Sequence, residues 1–232
     1  MRRAISVLLI LAGLALCGIA ALHYVRGWQA QEEGRKVLDA KLASSPAPAV
    51  SPSPLETPVP SDSGPEPTPA AEAEAEREVP RTGIPPGYPY GEPIARLKIP
   101  AARIDAVVFG GADPDVLEKG PGHVPGTGLP GERAASHNCV ITGHRDSHFR
   151  NLGWLKPGHE IELDAPAGNR RYRVVSREIV TPSTVRVMQP SGTERLTLIT
   201  CYPFNWIGPA PKRLVVVAEP LEKGPIPASI LK

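Results

Sequence analysis

From residue 94 to residue 219 the chain alternates apolar and polar side chains in short bursts. The runs are "IARLKI" (94–99), "RIDAVV" (103–108), "CVITG" (139–143), "EIELDA" (160–165), "RYRVVSREIV" (171–180), "RLTLIT" (195–200) and "RLVVVAE" (213–219). A period of two puts one face of each run inward and the other outward, the signature of a half-buried strand. Clusters of Gly and Pro, such as "GPGHVPGTGLPGE", "KPGHE", "APAGN" and "QPSG", separate the runs and cannot continue a ladder. Only "PDVLEKG" and "SHFRNLGWL" read as helical turns. Some seven short strands joined by turns predict an all-β domain, closed as a barrel or stacked as a sandwich, over residues 94–221.

The preceding third of the chain has another character. Residues 4–22, "AISVLLILAGLALCGIAAL", carry no charge and as a helix would reach about 28 Å, close to the hydrocarbon thickness of a bilayer. A transmembrane anchor is therefore expected within 1–25. The run is longer than a cleaved signal core, and Leu16 before Cys17 does not fit a lipoprotein signal. Residues 23–42 read as a polar helix leaving the membrane. Beyond it, fourteen of the 29 prolines fall between positions 46 and 93. Such a stretch buries too little apolar surface to offset its ordering entropy. Residues 26–93 are thus expected to be a juxtamembrane helix and a disordered linker that holds the domain off the bilayer, with 222–232 as a tail. The net charge of +2 and the absence of a Lys/Arg cluster interleaved with aromatics exclude a nucleic-acid partner. Three cysteines are too few for a disulfide framework.

Two residues stand where a buried strand gives way to a loop: Cys201 after "TLIT" and His144 after "CVITG". A thiol and an imidazole at neighbouring strand ends would form a nucleophile and its base at one rim of a barrel. The other reading is a small buried thiol and a satisfied histidine. Cys139 differs from Cys201, because alternation puts it on the opposite side from His144 and about 16 Å along the strand. A buried, inert thiol is expected there. His123 in "GPGHVPG" reads as structural and His159 in "KPGHE" as a solvated turn residue. Zinc is disfavoured, since no CxxC or HExxH pattern occurs and no further ligand lies close to Cys201. No cofactor is expected.

These residues carry a resemblance. "TLITC" resembles the TLxTC signature of sortases, "VITGHRDSHFRNL" the segment around their histidine, and "PAPKRLVVVAE" the strand bearing their arginine. "GPGHVPGTGLPGE" resembles the loop ahead of the histidine strand in the compact D and E classes. The resemblance implies a closed eight-stranded barrel with His144, Cys201 and Arg213 as the catalytic set and Thr200 beside the nucleophile as a substrate-binding residue. It implies a membrane-anchored cysteine transpeptidase with its domain on the extracytoplasmic side of the cytoplasmic membrane. Such an enzyme cleaves an LPXTG-like sorting motif after Thr through a thioester. The acyl group passes to an amine acceptor, a peptidoglycan precursor or a pilin lysine. The donor would be a sorting-motif-bearing surface protein or pilin. Two rival readings are an L,D-transpeptidase-like envelope enzyme, whose SxGC-type cysteine loop "TLITCYPF" does not match, and a catalytically silent envelope binding module.

Overall fold

The computed structural model describes residues 2–44, 88–133 and 137–221. Eight strands follow helix α1 (Arg2–Ser44): β1 (Pro93–Ile99), β2 (Ile104–Gly110), β3 (Gly122–His123), β4 (Asn138–Gly143), β5 (Glu160–Ala165), β6 (Gly168–Val180), β7 (Arg195–Tyr202) and β8 (Lys212–Pro220). They close into a barrel in the order β1-β2-β3-β4-β7-β8-β6-β5. The pairs β2–β3 and β4–β7 are parallel and the others antiparallel. Closure leaves no unpaired sheet edge, and the longer strands turn one face to a common core.

That face is the alternating set expected from the sequence. Leu97, Ile99, Val108, Cys139, Ile141, Ile161, Leu163, Tyr172, Val174, Leu196, Leu198, Leu214, Val216 and Ala218 point into one cluster. Phe149, Leu152 and Leu155, from the loop after β4, join it and are fully buried. Each large aliphatic or aromatic side chain removed from water contributes about 1.5–3 kcal/mol, so the β4–β5 loop is held by its own apolar anchors.

Strand β3 is not among the expected runs. It is two residues long and lies inside the Pro- and Gly-rich stretch before β4, where no periodicity can develop. Besides α2 (Pro114–Leu117), 3-10 turns form at Pro100–Ala102, Leu152–Trp154 and Val185–Met188.

Helix α1 differs from the separate membrane and juxtamembrane segments expected, for it is continuous from Arg2 to Ser44. Gln31, Gly34 and Leu38, spaced as one helical face, are buried. Gln31 Nε2 donates to Val107 O (3.1 Å) and Lys119 O (2.8 Å), and its Oε1 accepts from Val107 N (2.7 Å). A Cβ at Gly120 would lie 2.3 Å from Gln31 Nε2, so only glycine admits this amide. Gly34 lets the helix approach Val107 and Phe109, which with Val116 form a second apolar cluster. Arg35 donates to Asp105 O (3.0 Å), and Lys41 pairs with Glu92 (2.7 Å). The helix is thus docked on the barrel wall, not held away from it.

Among the described residues no helix is long and apolar enough to cross a membrane. Most side chains of the expected 4–22 span, the Pro-rich stretch 45–87 and the tail 222–232 lie outside the described residues.

Candidate active site

Strands β4 and β7 run parallel in unbroken register, from Asn138 opposite Arg195 to Gly143 opposite Thr200. The next residue on each is His144 and Cys201, so imidazole and thiol leave the barrel at the same pole. Thr200 Oγ1 donates to Gly143 O (2.7 Å), tying the residue before the thiol to the residue before the imidazole. Thr200 is 1% exposed. Its hydroxyl, expected to be a substrate-binding group, is engaged in joining the two strands.

Strand β8 returns antiparallel and pairs Cys201 with Arg213, and Tyr202 with Lys212. Alternation then turns Lys212 outward, where it is exposed, and leaves Arg213 half-buried beside the thiol. Arg213 Nη1 donates to Ala210 O (2.9 Å) and Lys212 O (3.1 Å), which anchors the guanidinium from behind. Among the described residues no carboxylate forms an ion pair with it. A cation left uncompensated and half-shielded from water suits developing negative charge. Cys201 is half-buried and unbridged, and His144 is exposed.

The turn after β4 explains the local sequence. Phe149 N donates to His144 O (3.0 Å), and the Phe149 ring packs where a Cβ on residue 143 would be 2.9 Å away. Glycine before His144 therefore makes room for the core anchor that closes the turn. His148 lies in the same turn. Burial, and next the charge of His144, holds its imidazole below the ordinary histidine range. Asp146 is exposed, and its backbone oxygen accepts from Arg150.

The remaining candidates sit elsewhere. His123 is fully buried; its Nε2 donates to Gly128 O (2.8 Å), so Nδ1 accepts from the Tyr88 hydroxyl (2.7 Å). Burial lowers its pKa to about 4, which keeps it neutral and structural. Cys139 is fully buried, and burial pushes its thiol up, away from reactivity. No group of three or more His, Cys, Asp or Glu side chains suited to a metal is assembled among the described residues. Arg145, next to His144, is a residue that sequence reasoning passed over: its guanidinium reaches the loop between β7 and β8.

Comparison with known proteins agrees with this architecture. Residues 97–221, more than half of the chain, match the family model described as the Sortase domain. The chain belongs to the sortase family. It is 34% identical over 130 residues to Sortase D of Bacillus subtilis (strain 168), an alignment covering 56% of this chain and 64% of that relative. Among solved structures, a Sortase D5 transpeptidase of Clostridium perfringens superposes with a TM-score of 0.51 at 25% identity, over 67% of this chain and 89% of that one. A pilus-related Sortase C of Group B Streptococcus gives a TM-score of 0.55 at 28% identity, over 64% and 78%.

Proposed function

We propose that the chain is a sortase-type cysteine transpeptidase in which Cys201 is the nucleophile, His144 the acid and base, and Arg213 the oxyanion or substrate-backbone clamp. The observation that carries the reading is the register of three strands: β4 and β7 end together at His144 and Cys201, and β8 returns Arg213 opposite Cys201.

The chemistry follows from these groups. The Cys201 thiolate attacks the carbonyl carbon of the Thr in an LPXTG-like motif, and the negative charge moves to the carbonyl oxygen, where the Arg213 guanidinium stabilises it. The carbon–nitrogen bond breaks as His144 delivers a proton to the departing amine, leaving a thioester on Cys201. An incoming amine then attacks the thioester and gives its proton to His144, and the thiolate departs. One amide is exchanged for another, with no cofactor and no net redox change. Thr200 acts by holding the strand ends in register.

The 34% identity to a Sortase D supports a class D-like assignment. The uncharged run 4–22 supports a single membrane span, and membership of the sortase family supports placing the barrel on the extracytoplasmic side of the cytoplasmic membrane. The substrates would be a sorting-motif-bearing surface protein or pilin and an amine acceptor, either a peptidoglycan precursor or a pilin lysine. The test is intact-mass spectrometry of the full chain in detergent with an LPXTG-type peptide library. An acyl adduct on Cys201, discharged by an added amine and missing from Cys201→Ala, is the expected result. An enzyme that stays unmodified across the library would overturn the reading.

A further inference from the structure

The loop between β7 and β8 (203–211) starts two residues after Cys201 and ends two residues before Arg213, so its position bears on both ends of the site. Within the loop Trp206 Nε1 donates to Pro209 O (2.9 Å), and Phe204 packs against the core. Residues 205–209 are all exposed, and Ile207 is 97% exposed. This exposed tip is tied down from the histidine loop. Arg145 Nη2 donates to Trp206 O (2.9 Å) and to Gly208 O (2.8 Å). Both are charge-assisted bonds, shorter and stronger than neutral ones. They close around a bend at Gly208, whose φ of 87° belongs to glycine. A second contact joins the same two loops. The Phe204 ring enters the notch left by Gly153, where a Cβ would lie 2.7 Å from it, and stacks edge-on against Tyr202 at 6.1 Å. The far end is secured by Arg213 on Ala210 O (2.9 Å).

We infer that Arg145 is a positioning residue that couples the loop carrying His144 to the loop joining Cys201 and Arg213, and so sets the wall against which the substrate lies. Its side chain acts through the backbone of 206 and 208. The thiol and imidazole rest on strand ends fixed independently by Thr200 and Gly143, so removing Arg145 loosens the wall and leaves the reacting atoms in place. The cost therefore falls on substrate capture. Lysine recovers part of the effect, because an ammonium supplies a point charge where the guanidinium supplies a fixed planar fork. The kinetic half of this inference rests on the transpeptidase reading above; the structural half does not.

The experiment compares the full chain in detergent micelles with Arg145→Ala and Arg145→Lys, each checked by thermal melting. Hydrogen exchange of the 203–211 segment is read by mass spectrometry, and cleavage of an internally quenched LPXTG-type peptide is followed with hydroxylamine as acceptor. Expected for Arg145→Ala is faster exchange confined to 203–211, with 139–143 and 195–200 unchanged. KM should rise about tenfold or more, since both charge-assisted hydrogen bonds are lost, at nearly constant kcat. Arg145→Lys should fall between. Unchanged exchange in 203–211 overturns the inference, and so does a loss carried by kcat at constant KM. Should even the unsubstituted chain cleave no peptide, the transpeptidase reading fails, and the exchange measurement still decides whether Arg145 holds the loop.

Discussion

Thr200 and Gly143 are joined by a 2.7 Å hydrogen bond between the hydroxyl of one strand and the carbonyl of its parallel neighbour. It lies one residue below both Cys201 and His144, where a shift in register would separate thiol from imidazole. Thr200→Val keeps the shape and removes the donor, so the buried bond to the Gly143 carbonyl is lost. It should cost about 1–3 kcal/mol in urea unfolding. Peptide turnover should fall through kcat at unchanged KM. A raised KM with full stability would instead assign this hydroxyl to substrate binding.

The two cysteines of the barrel should part company. Cys201→Ala should abolish acyl-enzyme formation while circular dichroism stays native. Cys139→Ala removes one close-packed sulfur from the core, should cost about 1 kcal/mol, and should leave turnover nearly intact. Arg213→Lys should lose at least about tenfold in kcat/KM, because the fork is replaced by a point charge. Iodoacetamide footprinting should label Cys201 far ahead of the buried Cys139. Equal inactivation by either Cys→Ala change would contradict the assignment.

Stability should be acid-sensitive in a defined window. Burial brings His123 down to about 4 in the folded chain, against about 6.5 when unfolded. The unfolded state therefore binds the proton first. Its contribution is complete above pH 6.5 and is lost as pH falls towards 4, by up to about 3 kcal/mol. His137 and His148, also lowered by burial, add in the same direction. Urea unfolding between pH 7.5 and 4.5 should show the decline. A His123→Asn variant should start less stable at pH 7.5 and lose less on acidification. A flat profile for the unsubstituted chain would refute the buried neutral imidazole.

Helix α1 should contribute to barrel stability. Gln31→Ala leaves Val107 and Lys119 without their side-chain partners in a buried contact. A loss of about 2 kcal/mol or more is expected. A variant lacking residues 1–88 should melt lower still, since it also loses Leu38 and the Tyr88 bond to His123. An unchanged melting temperature would return 26–93 to the role of a pure linker.

How much of this was legible depended on how each feature is encoded. The inward faces of seven strands follow from alternation, and the two strand ends bearing His144 and Cys201 could be found by looking for polar residues where apolar runs stop. Their adjacency was beyond periodicity, because the parallel β4–β7 pairing brings together segments 57 residues apart in sequence. Strand β3 is too short to show a period. The docking of α1 was hidden because its contacts are a glutamine, a glycine and a single leucine, not an apolar stripe. Arg145 was overlooked because its partners are backbone oxygens, whose positions no side-chain pattern records.

The docked helix also sets how far the enzyme can reach. With 4–22 in the bilayer, as proposed, Gly27 stands only five positions beyond Leu22, and a Cβ there would already lie 3.1 Å from Glu118 O. Five helical residues advance about 8 Å, so the barrel would ride at headgroup height. The stretch 45–87 then connects two points that the Lys41–Glu92 pair already brings together, and its length becomes nearly free to drift, each doubling costing about 0.6 kcal/mol. A mast, not a tether, would govern encounters: substrates would be met by diffusion within the membrane plane, and proteins held farther out would pass overhead uncut.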